Sequence, residues 1–360
     1  MSASGAPIRV SGDAVSAGAF TSATTGWAVV RADTPPMSCL LRTEDGGATW
    51  TCQLAWPGNL LGRLRAFDAR RAALVLGLWP THRNEINGLP VAAGEPFYHF
   101  VAGTQDAGTT WALGSPPDRY TAGAYFLTPL QIWLRVHVPG SDFTSDLART
   151  EDGGATWSRI DGTGYPPMIQ VAFSSPADGL LIEQDRHRAD ILHRTSDGGE
   201  AWTRQQLSAP PRVPKTAETW LLPVLSSSPG QLLTLRAVSR RPSGVRPAWE
   251  GTYAYARAGE GWAGPHSLPM TPASVGHDVL APGPDGRLWG GSGHDVWVAD
   301  DLAGPWQHRR VPLPEEESVG DLCPVEDGVI WLITAVGVGG GGLYRSEDDG
   351  VSWTRLSIST

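Results

Sequence analysis

Arg42-Thr43-Glu44-Asp45-Gly46-Gly47-Ala48-Thr49-Trp50 decides the fold, because it returns almost unchanged as Arg149-Thr150-Glu151-Asp152-Gly153-Gly154-Ala155-Thr156-Trp157. Three looser copies follow the same frame: Thr104 to Trp111, Thr195 to Trp202 and Ser346 to Trp353. The frame is Ser/Thr, any residue, Asp, any residue, Gly, any residue, usually Thr or Ser, then Trp. The Asp carboxylate can accept N–H groups in a tight turn. The Gly supplies a positive φ at little steric cost. The hydroxyl residues suit the extended chain on either side. The Trp is a large apolar plug that anchors the hairpin to its neighbour.

Two degenerate copies extend the series. One runs from Thr252-Tyr253-Ala254-Tyr255 to Trp262, and the other from Val296-Trp297-Val298 to Trp306. The terminal tryptophans, at 50, 111, 157, 202, 262, 306 and 353, are spaced 61, 46, 45, 60, 44 and 47 residues apart. A four-stranded propeller blade takes roughly 40–50 residues. The period therefore predicts an all-β fold: a seven-bladed β-propeller of four-stranded antiparallel blades, occupying residues 1–360 as a single domain. The two long periods carry loop insertions. The larger runs from Trp79 to Pro96 in blade 2, with a third strand expected near 97–101.

The frame resembles the Asp-box, or BNR repeat, of sialidase-like and Ycf48-type β-propellers. Gly26-Trp27-Ala28-Val29 is similar to the second strand of Ycf48-type repeats. The resemblance implies that each box joins the third and fourth strands of a blade, and that ligands bind on the rim opposite the boxes. It leaves Asp45, Asp106, Asp152, Asp197 and Asp348 with structural roles. Arg42, Arg149, Arg194 and Arg345, each just before a box, read as strand-end surface cations.

Composition narrows the class. The chain is 41% hydrophobic and 18% charged, with 44 Gly and 30 Pro, as a turn-rich globular β protein requires. A net charge of −9 argues against nucleic-acid partners. The first 20 residues lack a basic stretch followed by an apolar one, and no run reaches the roughly 18 apolar residues of a membrane span. A cytoplasmic monomer without membrane contact is expected, or a secreted one if a signal peptide has been removed. Cys39, Cys52 and Cys323 form no even framework. Cys39 and Cys52 flank the first box and could face each other on paired strands, as free thiols or as a bridge.

The polar groups assigned to the mouth opposite the boxes are the candidate site. Glu85, Asp185, His137 and His187 are the candidate catalytic residues. Arg83, Arg186, Arg240 and His294 are the candidate ligand-binding residues. Glycoside hydrolysis needs two carboxylates flanking the scissile bond, for which Glu85 and Asp185 are best placed. Sialidase chemistry is disfavoured, since Pro7-Ile8-Arg9 does not match the Arg-Ile-Pro motif of that family. His82, His137, His187 and His294 lack metal-ligand spacing, so no metal and no cofactor is expected. No nucleophile elbow is present. The leading expectation is a non-catalytic propeller binding a protein or a small polar ligand. The alternative is an enzyme at the same mouth, a glycoside hydrolase or lyase acting on a polar substrate.

Overall fold

The computed structural model describes residues 15–33, 36–57, 59–79, 85–86, 89–90, 98–117, 124–137, 145–165, 169–183, 191–211, 213–214, 217–223, 232–239, 249–270, 279–336 and 339–358. The elements described are strands, grouped in antiparallel quartets that follow the sequence period. The first quartet is Val15–Phe20, Gly26–Asp33, Pro36–Thr43 and Thr51–Pro57. The second is Asn59–Ala66, Ala72–Trp79, Tyr98–Thr104 and Ala112–Gly114, with a two-stranded ribbon, Glu85–Ile86 and Leu89–Pro90, inside its insertion. The third is Ala124–Phe126, Ile132–His137, Ser145–Thr150 and Ser158–Tyr165. Then come Ile169–Phe173, Gly179–Glu183, Ile191–Thr195 and Thr203–Gln205. The fifth is Glu218–Pro223, Leu232–Ser239, Trp249–Ala258 and Gly261–Leu268. The sixth is Val279–Pro282, Leu288–Ser292, Asp295–Ala299 and Gln307–Arg310, and the last is Ser318–Pro324, Ile330–Val336, Gly339–Ser346 and Thr354–Leu356.

The fold is an all-β propeller of four-stranded antiparallel blades, but the sheet count differs from the sequence expectation. Five quartets stand as separate sheets. The first and last are merged into one eight-stranded sheet through the pairing of Val15 with Gly341. The reason is local: the short fourth strand pairs only with Leu343, Tyr344 and Arg345 of the glycine-rich third strand, and the incoming first strand pairs with Gly341 just before them.

Packing between quartets accounts for the tryptophan period. Seven buried clusters lie among the described residues, and each joins two successive quartets. One of them unites Val15, Phe20 and Leu41 of the first quartet with Trp331, Ile333 and Leu343 of the last. Each box tryptophan enters a different cluster, always the one shared with the preceding quartet. Trp50 packs against the last quartet, Trp157 against the second and Trp202 against the third. The plug thus fills the seam between blades, which is why it recurs once per blade.

The first strand of the first quartet touches those of the second and the last, those of the third, fourth and fifth touch in turn, and those of the sixth and last touch each other, so the first strands lie nearest the axis. Each well-formed box docks on the first-to-second turn of its own quartet: Gly46 N–H donates to Thr24 O at 2.9 Å, Gly153 N–H to Leu130 O at 2.9 Å and Gly198 N–H to Ala177 O at 2.8 Å. The boxes and these turns share one rim. The second-to-third turns and the connections between blades fall on the other.

Candidate functional site

The boxes form a structural rim. In the first, Thr49 N–H donates to Asp45 Oδ1 at 2.9 Å and the Thr49 hydroxyl donates to Oδ2 at 2.6 Å. Thr43 has a larger part than its extended position suggests. Its hydroxyl donates to Asp45 Oδ1 at 2.9 Å and accepts the Gly47 N–H at 2.9 Å. The Trp50 indole N–H closes the turn on Gly47 O at 3.1 Å. Gly46 and Gly47 have φ of 74° and 89°, and a Cβ on Gly47 would lie 2.8 Å from Leu356 Cδ1. The hydroxyl and N–H bonds of Thr49 hold the Asp45 carboxyl down to about 2. A carboxylate held this way is a poor proton donor or acceptor near neutrality.

The arginines before the boxes are not free surface cations, which corrects that sequence reading. Arg42 is 9% exposed, lies 5.3 Å from the centre of the Trp27 ring and donates to Ala69 O of the second quartet at 3.0 Å. Arg345 lies 5.2 Å from the centre of the Trp331 ring, and a Cβ added to Gly46 of the first quartet would meet its Nη1 at 3.1 Å. Arg194 pairs with Asp178 in its own quartet and with Glu260 in the next. These guanidiniums couple one blade to the next. The strand alternation hides this, because the contact is made across the seam.

Much of the sequence-derived site falls outside the described residues: Arg83, Asp185, Arg186, His187 and Arg240. Glu85 lies in the ribbon of the second-quartet insertion, opposite Pro90. His137 ends the second strand of the third quartet, opposite Ser145. The side chains of both lie outside what is described. His294 is half-buried in the second-to-third turn of the sixth quartet. Its carbonyl accepts the Val311 N–H at 2.8 Å, and that of Gly293 accepts the Val319 N–H at 2.7 Å. This turn anchors the connection that enters the last quartet.

Carboxylates at this end of the blades are paired within their own quartets. Asp146 Oδ2 is 3.0 Å from Arg159, Glu183 is 2.8 Å from His193 Nε2 and Glu250 is 2.7 Å from Arg236. Asp295 is 2.9 Å from His308. Glu317, 5% exposed, accepts the Thr334 hydroxyl at 2.6 Å and the Tyr344 hydroxyl at 3.1 Å, with Arg355 at 3.2 Å. Buried carboxylates need such partners, because desolvation otherwise disfavours the charge.

Two charged side chains missed at the sequence level stand on first strands, the innermost of their quartets. Arg63 is on the first strand of the second quartet and Asp321 on that of the last. The first strand of the first quartet runs between their blades, carrying the small residues Ser16, Ala17 and Gly18. Both side chains are exposed to solvent, while the protein packed around them still desolvates each one in part. That enclosure pushes the Asp321 carboxyl up to about 6, against the opposing effects of the Leu322 N–H and the Arg63 charge. It also lowers Arg63, which donates to Ala124 O at 3.1 Å. A bulge between Val319 and Asp321 inserts Gly320 and re-aims the strand at this point. The available signal was a charge inside an otherwise small and apolar first strand, in Val319-Gly320-Asp321-Leu322 and Leu61-Gly62-Arg63-Leu64. Among the described residues no group of three or more His, Cys, Asp or Glu is placed to hold a metal ion, and no helix is long and apolar enough to cross a membrane.

No family model matches the sequence, and no curated protein matches it. Solved structures do match the fold. A structure titled YCF48 bound to D1 peptide is 15% identical, with a TM-score of 0.50, over 94% of this chain and 95% of that one. A PL25 ulvan lyase is 11% identical, with a TM-score of 0.57, over 98% and 97%. An ancestral GH74 enzyme is 11% identical, with a TM-score of 0.55; the alignment covers 98% of this chain but 48% of that one. These likenesses agree on a β-propeller fold.

Proposed function

We propose that this protein is a binding propeller that takes a peptide or a small polar ligand at the channel mouth opposite the box turns. In this reading the ring has seven blades, the eight-stranded sheet counting as the first and the last, and the repeated turns are Asp-boxes of the sialidase-like type. The observation that carries the binding reading is the pairing of the described mouth-side carboxylates. Asp146, Glu250 and Glu317 each face an arginine of their own quartet, and Glu183 and Asp295 each face a histidine of theirs. A hydrolase needs two carboxylates facing the substrate, one of them kept protonated. The Ycf48 likeness supports a peptide as one ligand class, since that structure holds a peptide. Arg63 and Asp321 offer opposite charges to a guest in the channel, and Arg83, Arg186, Arg240 and His294 remain its proposed contacts at the rim.

The enzyme reading keeps one specific support. An accessible, enclosed carboxyl pushed up to about 6 is a recognised feature of catalytic acids, and Asp321 has that character. Both readings meet in one experiment. Wild type, Arg63→Ala and Asp321→Asn are screened by ligand-observed NMR against short peptides and neutral and acidic oligosaccharides, and by assays for hydrolysis of chromogenic glycosides and for unsaturated lyase products. The binding reading expects saturable binding by wild type, weakened in the variants, with no turnover. Turnover lost in Asp321→Asn would replace it with the enzyme reading. Binding unchanged in both variants would remove the channel from the site.

A further inference from the structure

Two thiols meet on the first quartet, away from the channel. Cys39 is in the third strand and Cys52 in the fourth. Leu40 pairs with Leu54 and Leu41 with Cys52, so Gln53 is the extra residue of a bulge. Alternation puts Cys39 and Leu41 on one face, and Cys52, opposite Leu41, shares it. The two cysteines are diagonal neighbours across adjacent strands, close enough for each thiol to shift the other's titration, and the Cys52 thiol lies 3.6 Å from Leu54 O, to which it donates. Both are free. Cys39 is 0% exposed, inside the core that joins the last quartet to the first. Cys52 is exposed on the outermost strand. The buried thiol donates to its neighbour, which favours the Cys52 thiolate and brings its pKa down to about 7, while Cys39 is pushed up.

We propose that Cys39 and Cys52 form a redox-active dithiol, oxidised to a disulfide by hydroperoxides, that clamps the hairpin of the first box. The Cys52 thiolate attacks a peroxide oxygen. The O–O bond breaks, hydroxide or alkoxide leaves, and Cys52 becomes a sulfenic acid. The Cys39 thiol then attacks the sulfenic sulfur, the S–S bond forms, the S–O bond breaks, and water departs with the Cys39 proton. Two thiols lose two electrons in total and the peroxide gains them. Diagonal neighbours on one face start farther apart than the roughly 4.5 Å that bonded Cβ atoms need, so closure draws Cys52 towards Cys39 across the bulge at Gln53.

The bridge would enclose the turn from Thr43 to Trp50. Trp50 and Cys39 belong to the same core, at the seam where the beginning and end of the chain meet. Oxidation therefore tightens the closure of the ring. Cys323 is an internal control: burial pushes its thiol up to about 12, and it donates to Phe20 O at 3.2 Å.

The test uses the full chain treated with hydrogen peroxide, then alkylated and mapped by mass spectrometry. The expected product is a Cys39–Cys52 linked peptide with Cys323 still alkylatable. Tm should rise by roughly 5 °C on oxidation and return with dithiothreitol. Alkylation of reduced Cys52 should reach half its maximal rate near pH 7. In Cys39→Ala, dimedone should label Cys52 as a trapped sulfenic acid; brief peroxide pulses on wild type should give the same adduct if that variant fails to fold. The proposal is overturned if oxidised wild type carries Cys52 as sulfinic acid with Cys39 still a thiol. A Cys52 bridge to a second chain would overturn it equally.

Discussion

Replacing Trp50 with alanine measures what one box plug contributes. The indole is 6% exposed and shares a core with Phe20, Val329, Trp331 and Leu343. A buried Trp removes about 200 Å² from water, which at about 25 cal/mol per Å² sets an upper bound near 5 kcal/mol. A retained Cβ lowers that figure and the cavity left behind raises it, so about 3–5 kcal/mol is expected. About 1 kcal/mol of this belongs to the indole N–H bond to Gly47 O, at 3.1 Å. Trp50→Phe should therefore cost about 1–2 kcal/mol, losing that bond and part of the area. The assay is urea unfolding followed by far-UV circular dichroism, reading the midpoint at constant slope. Trp50→Ala with Leu343→Ala should couple, because the two share a core. Trp50→Ala with Trp157→Ala should add, because they occupy separate cores. A Trp50→Ala loss below about 1 kcal/mol, or strong coupling to Trp157, would refute the account of the seams.

Arg42→Ala should destabilise by about 1–2 kcal/mol through loss of the Ala69 bond and the contact with Trp27, whereas Glu44→Ala, its own side chain 70% exposed, should be near neutral in the same unfolding assay. Asp45 and Asp348 both titrate near 2 in the folded chain, below their ordinary value of 3.8. Their contribution is therefore present above about pH 4 and lost as pH falls from about 4 towards 2, and Asp45→Asn with Asp348→Asn should flatten the acid limb of a Tm–pH curve. Asp321 has the opposite sign: its folded value, about 6, lies above 3.8, so the stability linked to it is complete below about pH 4 and declines as pH rises towards 6. Asp321→Asn should remove that decline from a thermal-shift series, and an unchanged slope would show that channel water solvates the carboxylate fully.

The repeat made the architecture legible because each box position has a separate local job. Thr, Asp and Gly close a turn through bonds within one nonapeptide, so their pattern is visible without the fold. The role of Thr43 was only half legible, since a hydroxyl that both donates and accepts looks in sequence like any strand-end threonine. The arginines before the boxes were misread because Ala69 and Glu260 belong to the next blade, about 27 and 66 residues further on. The rim candidates Glu85, Asp185, His187 and Arg240 were chosen by polarity on expected loops, and polarity does not say which side chains converge.

The sequence by itself determined the four-stranded period, the turn chemistry and the seam-filling tryptophans, because those depend on bonds and burial repeated at fixed spacing. Tertiary structure alone decided that the first and last quartets share one sheet and that Arg63 and Asp321 stand close enough for their charges to interact. It also brought the Cys39 and Cys52 thiols close enough to shift each other's titration. Each of these turns on a register, a bulge or a contact between distant segments, and local residue pattern does not encode them.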